Sequence, residues 1–273
     1  MNTINRSKVL KNLSPAKREL LLRVLRQDIL KAQVSKMIPR RPRQSQAPLS
    51  FGQQRLWFLH QLEPNLSAYH IHLAVKLTGR LDQVILAKAL NGIVRRHEIL
   101  RTTFEVSAGQ PVQVIVAADE VPDLVLRVND LQTVPRVEQS AHVRRLAIQQ
   151  ARQPFDLANG PHLRATLFKL APRAHVLSLT MHHIVSDGWS TGILIKELAQ
   201  LYYAFANGSS LSLPALPIQY ADYAAWQQEW LQGKVLEEQL AYWKQRLEKS
   251  LPVLELPGDY VRPAVQSFRG ARH

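Results

Sequence analysis

The chain has no cysteine among its 273 residues, which excludes disulfides, thiolate zinc sites and a cysteine nucleophile. No uninterrupted apolar run reaches the ~20 residues that a membrane-crossing helix requires. The opening Met1-Asn2-Thr3-Ile4-Asn5-Arg6 also lacks the apolar stretch of a signal peptide. These absences lead us to expect a cytoplasmic protein without membrane insertion. No Gly-rich loop follows an early strand, so neither a dinucleotide nor a Walker-type phosphate site is supported. Aromatic residues make up 7% of the chain and none falls among the N-terminal basic residues, which argues against a base-stacking platform for nucleic acid.

What is present suits a folded domain. Apolar residues are 46% and charged residues 21%, enough for a sizeable core and too little charge for wholesale disorder. The formal charge of +14 is unevenly spread. Residues 1–43 hold twelve Lys and Arg against Glu19 and Asp28, so +10 of the total sits in that segment. A basic tail can bind nucleic acid, an anionic membrane or an acidic partner, or serve as a solvated helix face, and specific nucleic-acid binding is not expected. Ser14-Pro15 precedes Ala16–Val34, where Leu21, Leu25 and Ile29 recur on one face. The spacing predicts an amphipathic helix there and a Pro- and Arg-rich linker over 39–48. Residues 1–48 are therefore expected to be an appendage, with the globular part starting at Leu49.

Periodicity then predicts mixed helices and strands. Ser50 caps an expected helix over Phe51–Leu62, and Ile71, Leu73, Val75 and Leu77 alternate as in a strand. Asp82 opens a helix through Val94 whose buried side is Leu86, Leu90, Ile93 and Val94. Phe104–Val106 and Val112–Val116 flank a hairpin connection at Ser107-Ala108-Gly109-Gln110. A helix is expected over Glu138–Gln153, then strands over Leu163–Leu170 and His175–Met181. Helices follow at Trp189–Phe205, where Ile193, Ile195, Leu198 and Leu201 are expected to make apolar contacts, and over Tyr220–Leu247. This order indicates an α/β layered sandwich.

Two segments concentrate polar chemistry. The strand ending at Met181 runs into His182-His183-Ile184-Val185-Ser186-Asp187-Gly188-Trp189. Extended geometry sends His182 and His183 to opposite sides, so they are not expected to act together. An imidazole can take a proton near neutral pH and return it. The residues alone also allow two satisfied loop histidines. A metal site has no further ligand at zinc spacing, and Ser186 and Ser190 sit in no nucleophile elbow. The second segment, Arg96-His97-Glu98-Ile99-Leu100-Arg101-Thr102-Thr103-Phe104, lies between a helix and a strand. A buried arginine there needs a partner, and Asp187 is the expected one; the alternative is a basic helix C-terminus.

Four segments in order resemble the motifs of the condensation domains of non-ribosomal peptide synthetases: Ser50–Leu59, Arg96–Phe104, Met181–Ser190 and Tyr220–Trp226. The resemblance implies a chloramphenicol-acetyltransferase-like α/β two-layer sandwich, one lobe of a two-lobed V-shaped domain, over residues 49–266. It implies that 267–273 begin the second lobe and that the chain by itself condenses little. It further implies amide-bond formation between a donor acyl or peptidyl thioester and an acceptor aminoacyl thioester. Both would be carried on phosphopantetheine arms of donor and acceptor carrier domains, beside an adenylation domain, with no directly bound cofactor and no metal. By the same resemblance His183 is the active histidine, either accepting the amine proton or positioning the amine. Gly188 lends a backbone N–H to the developing oxyanion. His182, Asp187, Arg96 and Arg101 are structural support, with Asp187 paired to Arg96. Asp187-Gly188-Trp189 resembles condensation rather than epimerisation domains, and Tyr69–Gly79 resembles domains that take an L-configured donor. Two other readings remain open: a non-catalytic carrier-docking fragment, and a free-standing acyltransferase assembled as an oligomer.

Overall fold

The computed structural model describes residues 38–42, 45–209, 213–247 and 257–258. The helix expected over Ala16–Val34 and the segment 267–273 lie outside the described residues. Two sheets organise the described part. The smaller has the strand order β1 (Gln46–Pro48), β4 (Gln110–Ile115), β3 (Thr102–Ser107). The larger runs β2 (His70–Thr78), β7 (Ala174–His182), β6 (Leu163–Ala171), β5 (Leu126–Asp130), antiparallel except for the parallel β5–β6 pair. The hairpin turn between β3 and β4 uses Ala108 and Gly109 at φ of 49° and 77°, the double left-handed geometry that matches strand twist in a two-residue connection.

Among the described residues six α-helices accompany the sheets: α1 (Phe51–Leu62), α2 (Gln83–Arg96), α3 (Arg136–Ala151), α4 (Gly188–Ala206), α5 (Tyr220–Trp230) and α6 (Gly233–Leu247). Local chemistry starts two of them as expected. Ser50 accepts from the Gln53 amide while the Gln53 side chain returns to the Ser50 amide, and Asp82 accepts from the amides of Val84 and Ile85. The main core lies between the larger sheet and the α2–α4 pair. Leu86, Leu90 and Ile93 of α2 and Leu194, Leu198 and Leu201 of α4 meet Leu163, Leu167, Leu177, Leu179 and Met181 of the central strands. Helix α3 covers part of the opposite face, where Ala147 packs with Phe168 and Leu131.

Four expectations need correction. The presumed linker over 39–48 contains β1, which pairs Gln46–Pro48 with Val112–Val114. A three-residue strand offers too little alternation to be seen in sequence. Strand β5 was not expected either, because its partner β6, and not its own pattern, defines it. The single helix expected over Tyr220–Leu247 is broken after Trp230, where Gly233 takes φ of 51° and starts α6. Ile193 is 41% exposed, since it lies one position off the Leu194–Leu198–Leu201 stripe. No helix among the described residues is long and apolar enough to cross a membrane.

Candidate functional site

Strand β7 delivers its C-terminal end to the site and fixes the two histidines differently. His182 pairs across from His70 of β2 and is 2% exposed. Its backbone N–H donates to the His162 carbonyl at 3.2 Å, and its Nδ1 accepts from the Ile184 amide at 3.1 Å. Its ring meets those of His60, His70 and Phe155 at centroid distances of 5.9, 5.8 and 6.1 Å. Burial, with the neighbouring His70 and His162, lowers its pKa to about 3. An imidazole so enclosed cannot carry a proton for a substrate near neutral pH.

His183 is exposed. Its backbone N–H donates to the Tyr69 carbonyl at 2.8 Å, continuing the β2–β7 ladder by one residue. Its Nδ1 lies 2.8 Å from the Ser186 carbonyl. A carbonyl only accepts, so Nδ1 carries a proton, and in the neutral ring Nε2 keeps its lone pair. Ile184 and Val185 then bury themselves at 3% and 6% exposure, and the Val185 amide and the Ser186 hydroxyl return to the His182 carbonyl. The loop is thus stapled on both sides of His183.

Asp187 is the N-cap of α4. Its Oδ1 accepts from the Ser190 amide at 2.7 Å, and its own amide donates to Ser190 Oγ at 2.7 Å. The Ser190 amide foremost, and to a smaller extent nearby His183, hold its carboxyl below the usual range. Gly188 is the first helical residue, and a Cβ built on it would meet nothing within 4 Å. Its N–H belongs to the first turn of α4, whose amides have no intrahelical acceptor and whose dipole end is positive. Trp189 beside it is 83% exposed.

The expected pair between Asp187 and Arg96 is not formed. Arg96 Nε donates to Glu197 Oε2 at 3.0 Å and its Nη2 to the Pro214 carbonyl at 2.7 Å. Glu197 also meets His97 Nε2 at 2.7 Å. Ten residues of helix separate Asp187 from Glu197, about 15 Å, so Arg96 engages the middle of α4 while Asp187 is occupied by its start. Arg101 donates to the Val116 carbonyl and lies 3.9 Å from Glu98. It braces the strand entrance at Thr102 and is not brought to His183 by any of these contacts.

Other residues hold the four motifs together, and sequence reasoning assigned them no such role. Gln53, 2% exposed, donates to the Ile184 carbonyl at 3.2 Å and to Gln113 Oε1 at 3.4 Å, and accepts from the Ser50 amide at 3.0 Å. Ser50 Oγ lies 2.9 Å from the Tyr220 hydroxyl. Gln219 joins the Arg96 carbonyl and the Glu98 amide. Arg41 binds Glu98 at 2.8 Å and approaches Asp222 at 3.6 Å; charge counting places it in a basic tail, yet its side chain is 12% exposed. Glu197 had a visible signal: an acid on the same helical stripe as Leu194, Leu198 and Leu201 must find a partner. Among the described residues no group of three or more His, Asp or Glu is placed to hold a metal ion.

Residues 43–273 match the family model of the Condensation domain. The chain belongs to the condensation-domain family. A linear gramicidin synthase of Brevibacillus parabrevis is 48% identical over 232 residues, 85% of this chain and 3% of that protein. Phosphinothricin tripeptide synthetase PhsC of Streptomyces viridochromogenes is 42% identical over 236 residues, 86% of this chain and 22% of that one. Among solved structures, the X-domain in its complex with OxyB from teicoplanin biosynthesis is similar at a TM-score of 0.71 and 32% identity, covering 85% of this chain and 50% of that chain. The first condensation domain of the calcium-dependent antibiotic synthetase, in complex with a substrate analogue, gives 0.69 and 25%, covering 77% and 49%. This condensation-domain chain therefore spans about half of the solved chains and a small part of the curated synthetases. Its α/β two-layer sandwich is the single lobe that the motif resemblance implied.

Proposed function

We propose that this chain supplies the histidine side of a condensation site that joins a donor acyl or peptidyl thioester to an acceptor aminoacyl thioester in peptide synthesis. The observation that carries the reading is the exposed His183 ring, whose Nδ1–H is tied to Ser186 and whose Nε2 is left with a lone pair. The acceptor amine attacks the thioester carbonyl, forming the C–N bond, while the amine proton passes to His183 Nε2 or the amine is held there for attack. The oxyanion lies toward the first-turn amides of α4, with the Gly188 N–H as donor. Collapse breaks the C–S bond, the proton passes to the leaving thiolate, and His183 returns neutral. Both substrates arrive on phosphopantetheine arms of carrier domains, so tethering supplies much of the rate and no bound cofactor is required. The setting is a cytoplasmic synthetase with an adjoining adenylation domain.

The test is amide formation by the chain with loaded donor and acceptor carriers. Low turnover that is lost in His183→Ala supports the reading, and turnover equal in both proteins overturns it. The 32% likeness to an X-domain solved with OxyB favours a second reading, in which the lobe only docks other proteins. Saturable carrier binding without any product would support that one.

A further inference from the structure

A cavity of about 400 Å³ is lined by residues of β3, β5 and β6 and of the segments that lead into them. Leu100, Val116, Val121, Leu124, Leu163 and Ala165 make its apolar wall, and four of these six are under 9% exposed. His183, Asp187 and Gly188 do not line it. His162 does, at 1% exposure, with neither ring nitrogen in hydrogen-bonding geometry with a partner. Burial drives its pKa down to about 4, so the ring presents an uncharged surface.

The cationic lining is distinctive. Arg101 is engaged with Glu98, and the lining carboxylate Asp123 is paired with Arg95 at 2.5 Å. Arg127 and Arg164 have no carboxylate partner among the described residues. Arg164 donates only to the carbonyls of Gln153 and Pro154 and stacks 3.8 Å from the centre of the Phe155 ring. Arg127 makes no hydrogen bond or ion pair among the described residues, and burial foremost, then the charge of Arg127, disfavours the charged form of Arg164. Two neighbouring guanidiniums with no counter-charge among the described residues, beside an apolar cavity of ligand size, form the complement of a small amphiphilic anion.

We propose that this cavity binds a small apolar monocarboxylate, with its carboxylate on Arg127 and Arg164 and its body against the apolar wall. The site takes a free acid and not a thioester, because the charge is what the arginines recognise. A planar or short aliphatic body of about ten carbon atoms suits a pocket of this class.

The probes are 2-naphthylacetate, followed by its fluorescence, and decanoate as competitor, with the full chain. Saturable binding of naphthylacetate displaced by decanoate is expected. Arg127→Glu, an exposed change, weakens both at least about tenfold, the loss of one charge-assisted contact. The uncharged N-acetylcysteamine thioester of decanoate competes poorly with the wild type and is indifferent to Arg127→Glu. Val116→Trp, which fills the half-buried wall, removes binding while the circular dichroism spectrum is retained. No saturation up to millimolar probe, or binding unchanged in both variants, or a thioester that competes as well as the acid, overturns the proposal. None of these readouts involves amide formation, so failure here leaves the reading of His183 untouched.

Discussion

Arg96 offers a sharp test of how the lobe is braced, because sequence and structure give it different partners. Its side chain and that of Glu197 are 17% and 12% exposed and 3.0 Å apart. At an effective dielectric constant near 20, charges about 4 Å apart attract by ~4 kcal/mol, and desolvation offsets much of this. A net coupling of ~1–2 kcal/mol is the reasonable expectation for such a partly buried pair. Arg96→Ala on its own should cost about 3 kcal/mol, because it also releases the Pro214 carbonyl and leaves Glu197, among the described residues, with His97 alone as a partner. Asp187→Ala should cost ~1 kcal/mol, the worth of an N-cap.

The assay is a pair of double-mutant cycles read by urea unfolding at pH 7. Arg96→Ala with Glu197→Ala should show the coupling, and Arg96→Ala with Asp187→Ala should be additive within ~0.5 kcal/mol. Coupling above ~1 kcal/mol to Asp187 together with additivity to Glu197 would refute Glu197 as the partner of Arg96.

Three further outcomes are expected. Gly188→Ala should leave stability within about 0.5–1 kcal/mol of wild type, since its Cβ meets nothing within 4 Å, yet lower amide formation by tenfold or more if that open space receives substrate. Gln53→Ala should cost about 3 kcal/mol, from the hydrogen bonds broken at Ile184, Gln113 and Ser50 plus a small cavity, and should shift the His183 imidazole resonances; a loss under ~1 kcal/mol would sink this. Acid should unfold the lobe early: His162 and His182 have folded pKa values of about 4 and about 3, below the 6.5 of the unfolded chain. The unfolded state therefore binds protons that the folded state refuses, so stability is full above pH 6.5 and is lost as pH falls toward 4, at up to about 2.7 kcal/mol per pH unit. His162→Phe should reduce the overall slope, to which His60, His70 and His175, their pKa values also lowered by burial, contribute as well, and an unchanged slope would remove His162 from the account.

The parts of the lobe legible in sequence are those whose cause is local. Ser50 and Asp82 announced helix starts because a side-chain oxygen caps amides two or three residues away. The Leu86–Leu90–Ile93 stripe and the β2 alternation announced buried faces because periodicity is a property of one element. Strands β1 and β5 escaped because each is defined by a partner distant in sequence, β4 and β6 respectively. The same division explains the site. That His182 and His183 face opposite ways follows from strand geometry, and the pair is separated into a buried ring and an exposed one. Which carboxylate meets Arg96 does not follow from the motifs alone, because Asp187 caps the helix that carries Glu197. Asp187 had a local use for its carboxylate at Ser190, whereas Glu197 on a buried stripe had none. The acid with no local use is the one a distant arginine must satisfy. In this lobe that rule ties the second motif to the body of the helix whose first turn carries the third, so the position of Gly188 depends on a contact three helical turns away.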